Sequence, residues 1–148
     1  LKMRLGCDIG GVVKSLMDDL PVPEAIESLH RLRESGYETV FISKCGASYA
    51  AKTIEWLANY GLDQFSIEFC VDYAGKVDLA RKHNIELMID DKMTVLKHFP
   101  AGEFTRMWFY TEQKNIAGAR KHDPDFIRSV QLVQSWCEIE EFVMQGDT

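Results

Sequence analysis

Three things are scarce in this 148-residue chain, and each scarcity excludes a class of protein. No apolar run approaches the ~20 residues needed to cross a bilayer as a helix, so no membrane helix is expected. Positive charge is in deficit: 17 Lys and Arg face 23 Asp and Glu, a formal net charge of −6. That balance argues against general nucleic-acid binding and against an anionic membrane surface. It leaves room for a small phosphorylated ligand in a locally positive site. Cysteine is sparse: Cys7, Cys45, Cys70 and Cys137 are far apart, with no CxxC pair and no zinc spacing. Cys7 and Cys70 lie in apolar runs and are expected to be buried thiols, which points to a reducing, cytoplasmic setting. His30, His83, His98 and His122 show no metal-ligand spacing either. There is no internal repeat, low-complexity tract or clear linker. The chain starts at Leu1, so a targeting segment ahead of it is left open.

What is present is an alternation of strands and helices. Met3–Asp8 is a short apolar strand, and residues 11–22 form a loop or small flap. Pro23 and Glu24 open a helix whose apolar positions Ala25, Ile26, Leu29 and Leu32 repeat at helical spacing before Gly36. Strands follow at Glu38–Ser43, Ile67–Val71, Glu86–Ile89, Thr105–Tyr110 and Ser129–Gln134. Helices are expected at Ala47–Tyr60, Lys76–His83, Thr94–His98 and Trp136–Met144, and residues 111–127 read as a polar loop. Helical stretches between strands imply βαβ units in a doubly wound parallel α/β sheet, here as one domain over 1–148.

Polar residues end these strands. Asp8 closes the first and is followed by Gly10 and Gly11. Ser43 closes the second, just before Lys44. Asp90 and Asp91 close the fourth, and Lys76 stands at the start of the helix ahead of it. In a parallel sheet the C-terminal strand ends share one edge. Three carboxylates, a hydroxyl and an ammonium would then converge with a glycine loop whose backbone N–H groups suit an anion. That inventory suits phosphoryl chemistry. Carboxylates hold Mg²⁺, cations and hydrogen-bond donors neutralise phosphoryl oxygens, and an aspartate can attack phosphorus. Each residue also has a plainer reading. Asp-x-Gly-Gly is ordinary turn chemistry, serine is common at strand ends, and most lysines at a helix start are solvated. One of the paired acids could cap the next helix. Trp56, Tyr60, Trp108, Phe109 and Trp136 read as core or interface, and Arg120-Lys121-His122 as a solvated basic patch.

Taken together, Asp8-Ile9-Gly10-Gly11-Val12, Val40-Phe41-Ile42-Ser43, Lys76 and Leu87-Met88-Ile89-Asp90-Asp91 resemble, in order and spacing, the four motifs of the haloacid dehalogenase (HAD) superfamily. Most members of that superfamily are Mg²⁺-dependent phosphatases. The resemblance covers nearly the whole chain and implies a HAD-like, Rossmann-like three-layer sheet. It implies Asp8 as nucleophile and metal ligand, and the Gly10 carbonyl as a further metal ligand. Asp91 would bind metal directly, and Asp90 directly or through water. Ser43 and Lys76 would hold the phosphoryl group, with Gly10, Gly11 and Lys44 around it. The intervals after Asp8 and between Ser43 and Lys76 leave no room for a cap domain. An open site would suit a phosphorylated small molecule or a macromolecular phosphate, or a second subunit or partner as lid.

One position departs from the pattern. Superfamily phosphatases carry an acid–base aspartate two residues after the nucleophile, and here that residue is Gly10. Loss of such a group costs ~10²–10⁴-fold in rate. Three possibilities stand open: a weak or inactive relative, a substitute group from the flap (Lys14, Asp18 or Asp19), or a leaving group that needs little protonation. Asp-x-Gly-Gly also occurs in sugar-kinase and actin-like ATPases, which need two domains and a longer chain. Receiver domains share the residue types, but in another order. A catalytically inactive binding or scaffold protein on the same fold is the alternative that Gly10 favours.

Overall fold

A computed structural model of the chain describes residues 2–146. Its centre is a six-stranded, wholly parallel sheet in the order β3-β2-β1-β4-β5-β6. The strands are β1 (Arg4–Cys7), β2 (Glu38–Lys44), β3 (Ser66–Cys70), β4 (Leu87–Asp90), β5 (Thr105–Phe109) and β6 (Gln131–Val133). The helices are α1 (Ala25–Glu34), α2 (Ala47–Asn59), α3 (Tyr73–Lys82), α4 (Met93–Leu96), α5 (Gln113–His122), α6 (Pro124–Ser129) and α7 (Trp136–Gln145).

The side-chain period of two sorts each strand into two cores, one on each sheet face. Leu5, Cys7, Phe41, Leu87 and Ile89 pack with Leu29, Leu32, Leu57, Trp136 and Ile139 on one face. Val40, Ile42, Met88 and Trp108 pack with Val77, Ala80, Val95, Leu96 and Phe126 on the other. The result is three layers, helix–sheet–helix, as the alternation of elements implies. Gly6 is fixed by packing within β1: a Cβ there would come within 2.8 Å of Met88 Sδ.

Strand order reverses beside β1, with β2 and β3 on one side and β4 to β6 on the other. Ligand crevices of open parallel sheets form at such a switch point, beyond the carboxyl ends of the strands. In register, Cys7 lies opposite both Phe41 and Ile89, which sets Asp8 level with the end of β4.

Several local expectations are corrected. Residues 111–127 are not a loop but hold α5 and most of α6. Only Ile116, Ala119 and Phe126 are buried there, a stripe too thin for apolar periodicity to reveal. The strand expected from Ser129 begins at Gln131, because Ser129 ends α6 with its hydroxyl on the Phe126 carbonyl at 2.9 Å. Helix α3 starts three residues before Lys76, since Asp72 Oδ1 accepts from the Gly75 N–H at 2.7 Å as an N-cap. Helix α1 starts at Ala25 because Glu24 takes a left-handed conformation (φ 66°). Cys7 is buried as expected, whereas Cys70 is only partly so.

Helix α7 ties the C-terminus to the first loop. Ser135 caps it, accepting from the Glu138 N–H at 3.2 Å, and Glu138 reaches back to the Gln134 N–H at 2.8 Å. Trp136 is fully buried and donates its indole N–H to the Val12 carbonyl at 2.8 Å. Trp136→Phe strands that carbonyl, so it is expected to cost ~1–3 kcal/mol of unfolding free energy in urea melts. A cost below ~0.5 kcal/mol would show that the anchor is dispensable.

Candidate functional site

Beyond the ends of β1, β2 and β4 lies a cleft of about 330 Å³. Asp8, Gly10, Ser43, Lys44, Lys76, Asp90 and Asp91 all line it, although they come from four separate stretches of chain. Gly11 does not. It sits behind Asp91 with φ +84°, and its N–H is taken by the Lys14 carbonyl at 2.8 Å.

Lys76 is the hub. Its side chain is 2% exposed, and its Nζ lies 3.0 Å from Asp8 Oδ1 and 2.9 Å from Asp90 Oδ2. Burial alone would weaken the ammonium, but the charges of Asp8 and Asp90 overcome it and hold its pKa above the ordinary lysine value. Asp90 is fully buried and also accepts from the Lys92 backbone N–H at 3.0 Å. Asp91 is held differently. Its backbone carbonyl accepts the Trp108 indole N–H at 3.0 Å, while its carboxylate Oδ1 is buried with no hydrogen-bond partner.

One oxygen from each of Asp8, Asp90 and Asp91 lies within 4.8 Å of the others, the one such cluster of metal-ligating groups among the described residues. One buried ammonium pairs with two of these three carboxylates, Asp8 and Asp90. Burial first, and the neighbouring carboxylates next, raise all three to about 6; for Asp8 and Asp90 the Lys76 charge opposes the rise. An orphaned oxygen inside an excess of hard anionic ligands fits a divalent cation such as Mg²⁺.

The flap forms one wall. The N–H groups of Val13 and Lys14 both donate to the Ile9 carbonyl, at 2.9 and 3.0 Å. A short hairpin follows, with Ser15 N–H on Leu20 O at 2.8 Å and Val22 N–H on Val13 O at 2.8 Å. The Trp56 indole donates to the Asp19 carbonyl at 2.7 Å and pins the tip to α2. Of the three flap groups weighed from the sequence as a proton donor, Lys14 and Asp19 line the cleft and Asp18 does not. Asp18 instead accepts from the Leu20 N–H at 3.1 Å.

Sequence reasoning missed Tyr49, Thr53, Tyr73 and Lys92 as cleft residues. Lys44 Nζ rests over the Tyr73 ring at 4.9 Å, and Lys14 Nζ over the Tyr49 ring at 5.5 Å. None carried a local signal: the helix spacing that puts Tyr49 and Thr53 on one face also fits a solvated surface. No described helix is long and apolar enough to cross a membrane.

No family model matches the sequence, and no curated protein matches it. Solved structures do. The D,D-heptose 1,7-bisphosphate phosphatase of B. bronchiseptica, solved with magnesium and phosphate, superposes with TM-score 0.70 at 15% identity, over 97% of this chain and 99% of that one. The cobalt-bound deoxy-D-mannose-octulosonate 8-phosphate phosphatase of Haemophilus influenzae matches with TM-score 0.60 at 13% identity, over 97% and 88% of the two chains. A HAD-superfamily hydrolase from Ehrlichia chaffeensis matches with TM-score 0.58 at 16% identity, over 93% of this chain and 65% of its own. The architecture is therefore the HAD-like fold, and no cap domain stands over the cleft among the described residues.

The two glycines of the loop have unequal freedom. A Cβ on Gly11 would overlap the Asp91 carboxylate and come within 2.6 Å of its Cγ, in a backbone region closed to most side chains. A Cβ on Gly10 meets only Leu16 Cδ2, at 3.4 Å, and Leu16 is 71% exposed. Gly11→Ala is expected to lose more than ~1 kcal/mol of stability, and Gly10→Ala to stay within ~1 kcal/mol of wild type in the same melts.

The carboxylate cluster also sets a pH dependence. Folded values near 6 lie above the unfolded value of about 4. The metal-free native state therefore binds protons more tightly, and stability contributed by the cluster falls as pH rises from about 4 to 6. The expected result is a melting temperature that falls less steeply with pH in Asp91→Asn than in wild type. Mg²⁺ should raise the wild-type value more at pH 7 than at pH 5. Equal slopes for the two proteins would contradict the cluster's part in stability.

Proposed function

We propose that the chain is a HAD-superfamily phosphatase that hydrolyses phosphomonoesters through a phosphorylated Asp8, and that Gly10 makes it a weak or atypical one. The observation that carries this reading is the shared ammonium: Lys76 bridges Asp8 and Asp90 while the neighbouring Asp91 keeps a buried oxygen unpaired. A plain core ion pair has no use for two further carboxylates beside it. The fold of phosphatases solved with magnesium or cobalt supports the same reading.

Asp8, Asp91 and the Gly10 carbonyl would hold Mg²⁺, with Asp90 direct or through water, and the ion would neutralise phosphoryl oxygens. Lys76 holds Asp8 Oδ1 and leaves Oδ2 for attack on phosphorus. The Lys76 ammonium and the Ser43 hydroxyl orient the phosphoryl group, and Lys44 stands at the rim. Lys76 thus keeps the nucleophile ionised and also offers positive charge to the incoming phosphate. Substrates are phosphorylated small molecules or a macromolecular phosphate, since an uncapped cleft sets little limit on the size of the leaving group. The protein acts in the cytoplasm.

The second reading, a catalytically inactive binding protein on the same fold, is favoured by Gly10 alone. Calorimetric titration with Mg²⁺ and beryllofluoride, a mimic of phosphorylated aspartate, separates the two readings when run beside an ester-turnover assay. The expected outcome is binding of both by wild type, loss of the beryllofluoride signal in Asp8→Asn, and measurable turnover that Asp8→Asn abolishes. Binding without turnover would favour the inactive reading. Binding of neither would end the phosphatase proposal.

A further inference from the structure

We infer that the cleft acts on phosphate esters whose leaving group departs without a proton, with an aromatic alcohol as the fitting class. The inference rests on the phosphatase reading and names the substrate class of the same site.

Two observations carry it. The first is the supply of acid. Besides Asp8, Asp90 and Asp91, the one carboxyl group among the described residues lining the cleft is Asp19. Its side chain is 77% exposed, and its Oδ1 lies 3.6 Å from Lys14 Nζ. Lys14 is itself drawn to the outer wall, over the rings of Tyr49 and Trp56 at 5.5 and 5.9 Å. At Gly10, two residues after Asp8, a Cβ would meet only Leu16 Cδ2 at 3.4 Å, so the position has room for a side chain and carries none. The second is the character of the mouth. Leu16 and Tyr49 line the cleft and are 71% and 52% exposed, and flap neighbours Met17 and Leu20 are 93% and 53% exposed. An apolar, aromatic lip next to a charged floor suits a phosphate joined to a flat apolar group.

The chemistry then balances without a general acid. Asp8 Oδ2 bonds to phosphorus as the ester P–O bond breaks, and the electron pair leaves on a phenolate, stable near a pKa of about 10. An alkoxide is a far stronger base and leaves poorly unprotonated. In the second step water attacks the phosphorylated Asp8. The pair of the broken P–O bond returns to the carboxylate, and the water's proton goes with the departing dihydrogen phosphate. That step has no positioned base, so phosphorylated Asp8 accumulates.

The test compares 4-nitrophenyl phosphate, phenyl phosphate and ethyl phosphate on wild type, Gly10→Asp and Asp19→Asn, all with Mg²⁺. Wild-type kcat/KM is expected to fall ~10²–10⁴-fold from the nitrophenyl to the ethyl ester. Rapid mixing should show a burst of nitrophenolate near one per enzyme, with intact-mass spectrometry finding one phosphoryl group on the protein. Gly10→Asp should raise ethyl phosphate turnover by ~10²–10⁴-fold and so narrow the gap between the aryl and ethyl esters. Three results overturn the inference. One is equal kcat/KM for aryl and ethyl esters. Another is ethyl phosphate turnover that collapses in Asp19→Asn, which would make Asp19 the acid. The third is no turnover of any ester by a protein that still binds beryllofluoride through Asp8. That third result, or failure of beryllofluoride to bind, overturns the phosphatase reading itself, whereas the first two overturn the substrate class alone, so the two failures are told apart.

Discussion

The contact on which the site depends is the double ion pair from Lys76 to Asp8 and Asp90. A buried ammonium needs anions around it, and α3 delivers it across 68 residues of sequence to the end of β1. The arrangement is unbalanced, with three carboxylates to one cation. That surplus is unfavourable to an empty fold, and it is the donor set that suits a divalent ion. Stability and binding are thus set against each other at the same four side chains.

The sheet order explains why these side chains meet. The strand order reverses between β1 and β4, so Asp8 and Asp90 end adjacent strands and no helix can cross between them. The flap fills one side only. It is pinned by indole N–H groups from two different helices, Trp56 at the Asp19 carbonyl and Trp136 at the Val12 carbonyl. Its backbone is therefore part of the scaffold, and what varies at the mouth is side chains.

Much of this was legible in the sequence, for definable reasons. Buried strands that end in Asp, Ser or paired Asp announce themselves, because an apolar run that stops at a charge marks the point where a strand of an α/β protein leaves the core for the crevice. The lysine was legible only through its place in the motif order: alone, Lys76 looks solvated, and only the tertiary fold shows it 2% exposed. Helices α5 and α6 escaped because three buried side chains do not make a visible period. The start of α3 escaped because Gly75 reads as a break, whereas it lies within the first turn, where a Cβ would come within 3.0 Å of Cys70 Cβ. The aromatic rim escaped because Tyr49 and Tyr73 come from different helices, and nothing local links them.

Adjacent glycines usually read as one feature, yet Gly10 and Gly11 have opposite prospects over evolutionary time. Gly11 is locked by its backbone angle and by the carboxylate against it, so change there passes through an unstable protein. Gly10 is bounded by one exposed leucine, so change there is expected to be nearly silent to the fold. An acid at this position can be lost or regained in a single step, with no folding barrier between the two states. On the phosphatase reading proposed above, catalytic strength is then free to drift up or down under selection for chemistry alone.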